Sequence, residues 1–172
     1  MEPQELAKQA IKGDDTAFLA IMQLYKNDLY RTAYAFLKNE HDAIEAVQEV
    51  TVRAYQKIHT LKEPAYTKTW LIRIMINYCQ DQIAKNKRFT SNEKLQEIAT
   101  IDDTSFLELN EAMASLSKKD QQLITLKYLQ NTKIKDIAVL ENIPEGTVKS
   151  RLYKALQSLR TFWSKGGENT DV

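Results

Sequence analysis

Residues that interrupt regular backbone are rare in this chain, and that scarcity restricts the fold more than any other feature. Four glycines and three prolines occur in 172 residues. Gly13, Pro64, Pro144 and Gly146 fall at or near breaks in apolar periodicity. Leu, Ala, Lys, Gln and Glu dominate the segments between them, and β-branched runs are scarce, so helix formers prevail over strand formers. The expectation is an all-α protein. A chain of this length can hold one medium domain or two small helical ones, each with a modest core.

Charge favours two. The formal net charge of +1 argues against a protein that coats nucleic acid by bulk electrostatics, so distribution matters more than total. From Lys68 to Arg88 the cations Lys68, Arg73, Lys85, Lys87 and Arg88 face Asp81 alone. From Asn92 to Glu111 the sign reverses, and from Glu145 to Lys165 it reverses again, with Lys149, Arg151, Lys154, Arg160 and Lys165 against Glu145. The acidic stretch includes the polar run Thr100 to Ser105 and lacks sustained periodicity, so it reads as a linker between two basic-faced halves. The expected organisation is a domain over 1–90, a linker over 91–105, a second domain over 106–165 and a flexible tail over 166–172.

Spacings of three and four predict helices over Pro3 to Lys12 and Asp14 to Leu37, the second capped by Asp14 or Asp15. Asn39 to Asp42 break the pattern. A third helix is expected from about Asp42 to Ile58, with Ile44, Val47, Val50, Ala54 and Ile58 on its apolar side. The loop Thr60 to Lys68 contains Pro64 and cannot simply continue that helix. A fourth, about Thr69 to Lys87, has Leu71, Ile74, Tyr78 and Ile83 on its stripe. The second half predicts helices over Phe106 to Leu116, Lys118 to Tyr128, Lys133 to Leu140 and Pro144 to Trp163.

The last two carry the most informative local chemistry. In Asp136-Ile137-Ala138, Asn142-Ile143-Pro144 and Gly146-Thr147-Val148, Asn142 suits a left-handed turn position and Ile143 can fill the angle between two helices. Pro144 fits the first position of the second helix, where its missing N–H costs nothing. This is helix-turn-helix chemistry. Val148, Leu152, Ala155, Leu156 and Leu159 form one stripe, leaving Glu145, Lys149, Ser150, Tyr153 and Lys154 outward. Lysines, a hydroxyl and an aromatic ring on one exposed face suit a recognition helix in a major groove. The competing explanation is a solvated basic face near a helix C-terminus, where cations favour the macrodipole.

The string Ile143-Pro144-Glu145-Gly146-Thr147-Val148-Lys149-Ser150-Arg151-Leu152 resembles region 4 of extracytoplasmic-function sigma factors of the sigma-70 family, although alone it also resembles response-regulator activators. In the first half, Asp42-Ala43, Val47-Gln48-Glu49-Val50 and Arg53-Ala54-Tyr55 resemble region 2.2. Lys68-Thr69-Trp70-Leu71-Ile72-Arg73-Ile74, with Asn77, Cys79 and Asp81, resembles regions 2.3 and 2.4. The order and spacing match across nearly the whole chain. Lys133 and Asn142 stand where the family often has Ser and Gly, so the cap of the preceding helix must come from Thr132 or be weak.

The resemblance implies an alternative sigma factor that joins core RNA polymerase and directs it to promoters. It assigns core binding to Asp42, Glu45, Gln48 and Glu49, with Arg53 close by. Arg53, Leu61, Trp70, Arg73 and Asn77 then serve the −10 element, where the loop Thr60 to Lys68 receives a base extruded from the non-template strand, a step costing a few kcal/mol. Glu145, Lys149, Ser150, Arg151, Tyr153 and Lys154 serve the −35 element, with Arg151 and Arg160 turned to phosphates. The acidic linker resembles a segment that threads the polymerase RNA exit path. The family is commonly restrained by a membrane-anchored anti-sigma protein.

For several of these residues an ordinary structural role competes. Glu45 and Glu49 can be a solvated i,i+4 pair, Trp70 a core residue, and Asn77 a buried amide. An enzyme is the hypothesis from another class, and its candidates are thin. His41 and His59 lack partners at metal-ligand spacing, Cys79 has no His within reach, and no glycine loop cradles phosphate. No cofactor or metal is expected. A stand-alone helix-turn-helix regulator is the remaining alternative. One cysteine and no membrane-spanning stretch make the expected location cytoplasmic, without direct membrane insertion.

Overall fold

The computed structural model describes residues 1–90 and 111–168. The expected acidic linker, the start of the helix expected from Phe106, and the last four residues of the expected tail lie outside the described residues. The chain divides into two compact units, Met1–Glu93 and Lys94–Val172.

The first unit contains α1 (Pro3–Ile11), α2 (Asp15–Leu37), α3 (Glu40–Lys57), the 3₁₀ turns Ile58–Thr60 and Pro64–Tyr66, and α4 (Thr67–Thr90). The caps explain the breaks. Asp14 accepts the Ala17 N–H at 3.0 Å and opens α2, and Asn39 accepts the Asp42 N–H at 2.9 Å and opens α3. Lys38 closes α2 in the left-handed region at φ 56°, its N–H donating to the Tyr34 carbonyl at 2.8 Å. The break expected over Asn39 to Asp42 is therefore a single capping residue, and α3 begins two residues earlier than its periodicity suggests.

α2 packs against α1, α3 and α4, and α3 packs against α4. The core takes Phe18, Ile21, Met22 and Leu29 from α2, Ala43, Ala46, Val50 and Ala54 from α3, and Leu71, Ile72, Met75, Ile76, Tyr78 and Cys79 from α4. Two expected stripes need correction. Ile44 is exposed and Val47 half-buried, because the inward face of α3 is lined with alanines that let neighbouring helices approach closely. On α4, Ile74 and Ile83 are half-buried, while Ile72, Met75, Ile76 and Cys79 join Leu71 and Tyr78 inside. A helix packed against two others buries a wider arc than one stripe.

The second unit has helical residues 111–114, α5 (Lys118–Ile124) continuing into a π-helical turn (Thr125–Leu129), α6 (Ile134–Glu141) and α7 (Glu145–Glu168). Ser117 caps α5 by accepting the Asp120 N–H at 3.2 Å. Asn131, at φ 54°, ends the π turn, and the Thr132 N–H closes it on the Leu126 carbonyl at 2.9 Å. α5 and α6 both pack on α7. Ala112, Leu116, Ile124, Ala155 and Leu159 form one buried cluster, covered by Met113, Leu156 and Phe162. Ile137, Val148 and Leu152 bury the contact between α6 and α7. α7 runs to Glu168, so the first residues assigned to the tail continue the helix.

Candidate nucleic-acid interface

The turn between α6 and α7 has the geometry that its residues dictate. Asn142 sits at φ 54°, ψ 45°, and the Ile143 N–H donates to the Ala138 carbonyl at 3.1 Å. The Pro144 carbonyl then accepts from Thr147 at 3.0 Å and Val148 at 3.2 Å, starting α7. The first helical residue is Glu145, one place after the proline, so Pro144 occupies the boundary instead of the first turn proper. At the start of α6 the cap position falls on Lys133 and has no side-chain bond, which is the weak-cap outcome.

With α6 fixed at this angle, α7 has two distinct faces. Val148, Leu152, Ala155 and Leu159 are buried and Leu156 is half-buried. Glu145, Lys149, Ser150, Arg151, Tyr153, Lys154 and Arg160 are all exposed. Tyr153 is 61% exposed, and its phenol oxygen accepts from the Gln157 amide at 2.9 Å, which steadies the ring. Ser150 donates to the Gly146 carbonyl at 2.9 Å, so its hydroxyl is partly committed to the backbone. The surface can offer cations, one acid, a hydroxyl oxygen and an aromatic edge to a groove.

The first unit presents its polar residues differently. Asp42 is half-buried at the start of α3, while Glu45, Gln48 and Glu49 are exposed farther along it. One turn after Glu49, the Arg53 Nε lies 3.3 Å from the Glu49 Oε1, and its guanidinium sits 5.0 Å from the Tyr78 ring centroid. Arg53, Trp70, Arg73 and Asn77 are half-buried. Spacings of three and four place Trp70, Arg73 and Asn77 along one side of α4. Leu61 does not join them as a displayed side chain. It is 6% exposed, and its N–H donates to the Ile58 carbonyl at 3.1 Å, so it anchors the loop in the core. An apolar side chain beside a tight turn gains more from burial than from solvent.

The loop between α3 and α4 is held at both ends. The Thr60 hydroxyl donates to the Lys57 carbonyl at 2.7 Å and the buried Thr67 hydroxyl to the Pro64 carbonyl at 2.6 Å. α1 packs against both 3₁₀ turns. Lys62, Glu63 and Ala65 remain exposed at the tip. Lys68 pairs with Asp28 on α2 at 3.6 Å. Sequence reasoning missed this pair and the role of Tyr78 beside Arg53. The Glu49 and Arg53 pair was within reach, because an acid four residues before a cation on a helix is the favoured orientation.

Cys79 is fully buried, and burial pushes its thiol up to about 12. His41 and His59 are exposed. Among the described residues no group of three or more His, Cys, Asp or Glu side chains gathers to hold a metal, and no helix is long and apolar enough to cross a membrane.

Two helical units, the second built around a helix-turn-helix with an exposed basic face, define a class of DNA-binding protein. Comparison with known families makes it specific. The Sigma-70 region 2 family matches residues 21–89 and the Sigma-70, region 4 family matches residues 106–159. The ECF RNA polymerase sigma factor SigW of Bacillus subtilis is 30% identical over 172 residues, covering 89% of this chain and 92% of the relative. RNA polymerase sigma factor SigV of the same organism is 29% identical, covering 82% and 87%. CnrH, solved in complex with the cytosolic domain of CnrY, superposes with a TM-score of 0.64 at 20% identity, covering 95% of this chain and 97% of that one. RpoE from Bartonella quintana, solved with the anti-sigma factor NepR, superposes at 0.57 with 21% identity, covering 86% and 96%. The chain belongs to the extracytoplasmic-function sigma factors of the sigma-70 family and is an alternative sigma factor, a transcription initiation factor.

Proposed function

We propose that this sigma factor works in the cytoplasm, docks on core RNA polymerase through the polar face of α3, reads the −35 duplex with α7, and captures the unpaired −10 strand with the 60–68 loop and α4. The observation that carries this reading is the sorting of α7 behind the left-handed turn at Asn142. Its apolar side is buried, and Lys149, Tyr153 and Lys154 stand clear of the domain. Lys149, Ser150, Tyr153 and Lys154 supply base-edge contacts, and Arg151 and Arg160 supply phosphate contacts. Glu145, at the start of the helix, borders the groove.

Polymerase docking falls to Asp42, Glu45, Gln48 and Glu49, three of them exposed on α3. On the −10 side, Arg53, Trp70, Arg73 and Asn77 form the strand-facing set. Leu61 contributes by anchoring the loop, whose exposed tip receives the base. A loop pinned by two threonine hydroxyls is already ordered before DNA arrives, so capturing a flipped base carries little added ordering cost. An anti-sigma protein is the natural antagonist, since both structural neighbours described above were solved with a protein partner, one of them named an anti-sigma factor. A membrane anchor on that partner is the family's common arrangement.

Transcription of a promoter library by core polymerase with and without this chain tests the function and yields the consensus together. Specific initiation that depends on both is expected, and absence of core binding in a pull-down removes the central claim. Permanganate footprinting should show thymines near −10 becoming reactive in the wild-type complex. Asn77→Ala should change preference among −10 variants while leaving core binding intact, and a loss of helicity would assign Asn77 a structural role instead.

A further inference from the structure

Arg53 stands between two surfaces to which different partners are assigned. Glu49, which holds its Nε at 3.3 Å, belongs to the polymerase-facing set, while the guanidinium itself belongs to the −10 set. The third member is Tyr78 of α4, whose ring centroid lies 5.0 Å from the guanidinium carbon. The two holders differ in kind. Tyr78 is 7% exposed and fixed in the core, so its ring face is an immobile platform. The Glu49 side chain is 47% exposed and makes an ordinary surface ion pair, which a competing charge can exchange. A guanidinium stacked on a ring keeps its edge N–H groups available for a phosphate, because stacking uses its face. After burial, the charges of Glu45 and Glu49 are the next influences raising the Tyr78 phenol.

We propose that Tyr78 is a positioning residue of the −10 surface, keeping the Arg53 guanidinium in place while its charge partner changes from Glu49 in the free chain to a DNA phosphate once polymerase engages Glu49. The inference rests on the assignment of α3 to polymerase and of the α4 side to the −10 strand. Without the ring, an arginine released by Glu49 regains the rotamer freedom of a long side chain, and that freedom must be lost again on DNA. With the ring, release leaves the cation pre-placed.

The test uses the full chain, free and in holoenzyme, with a fluorescent single-stranded oligonucleotide carrying the non-template −10 sequence of a promoter recovered from the library. In the free chain, Glu49→Gln should raise oligonucleotide affinity about 1.5- to 5-fold, the worth of an exposed ion pair. The gain should vanish in an Arg53→Ala background. A gain that persists there is a bulk charge effect and overturns the proposal. In holoenzyme, Tyr78→Phe keeps the ring and should bind as wild type, whereas Tyr78→Leu should bind about 2- to 5-fold more weakly with core binding retained. Equal losses for Phe and Leu overturn the positioning role. If Tyr78→Leu fails to fold, the Glu49 and Arg53 cycle together with Tyr78→Phe still decides: loss of the gain with Arg53→Ala and wild-type binding by Phe support the proposal, and either failing removes it. If no promoter is recovered, the underlying assignment falls and this inference falls with it. A recovered promoter with a failed cycle removes this inference alone.

Discussion

On α7 the residues assigned to DNA are all exposed, whereas Arg53, Trp70, Arg73 and Asn77 of the first unit are half-buried, with Arg53 held by a carboxylate and a ring. The difference follows from what each must meet. A duplex groove has a regular shape, so a rigid helix whose side chains project freely can enter it and select bases by edge contacts. An unpaired strand is flexible and must be given a shape by its receptor, so the groups that meet it have to be ordered beforehand. The two units also differ in how they stay folded. The first shares its core among three helices of 18 to 24 residues, while the second packs two short helices against the long α7.

That contrast can be broken most forcefully at the core of the second unit. Ile137 is fully buried on α6, and Ile137→Ala should cost about 2–5 kcal/mol. Hydrogen exchange should then show lost protection in α5 to α7 with α2 to α4 unchanged, and a matching loss in both units would end the description of them as separate. Next in size are the base contacts. Lys149→Ala and Tyr153→Ala should each lower promoter activity by about 1–3 kcal/mol in a sequence-dependent way, while Arg160→Ala weakens binding across all −35 variants. Uniform losses for all three would make α7 a phosphate-binding surface only.

Smaller effects sharpen the comparison at the turns. Asn142→Ala places a less suited side chain at φ 54° and should lower second-unit stability by about 1–2 kcal/mol, whereas Asn142→Gly should fold as well as wild type. Thermal melting of the pair separates backbone strain from lost side-chain contact. The smallest change runs the other way. Lys133→Ser supplies the cap that α6 lacks and should add about 0.5–1 kcal/mol, read as a higher second-unit melting temperature. No change would mean that the α6 terminus is already satisfied by other means.

What could be read from the residues alone tracks how local the physics is. The helix-turn-helix was legible because Asn142, Ile143 and Pro144 act within one turn, and the same is true of the Asp14 cap. The inward face of α3 was not, because apolarity points to Ile44 while close helix packing selects Ala43 and Ala46. The burial of Leu61 was not legible for a related reason: the resemblance located the −10 loop, but which loop side chain turns inward depends on the 3₁₀ turns around it. The Arg53 and Tyr78 contact joins residues on different helices, and no periodicity within one helix reports it.

Cys79 has a consequence for how information reaches this protein. The thiolate is the form that oxidants and electrophiles attack, and a thiol held near pKa 12 presents about one part in 10⁵ of it at neutral pH. It is also the chain's single cysteine, sealed against Met75 of its own helix. Cys79 is therefore a poor thiol antenna for oxidative stress. The folded chain can persist through an oxidative burst chemically unaltered at this position.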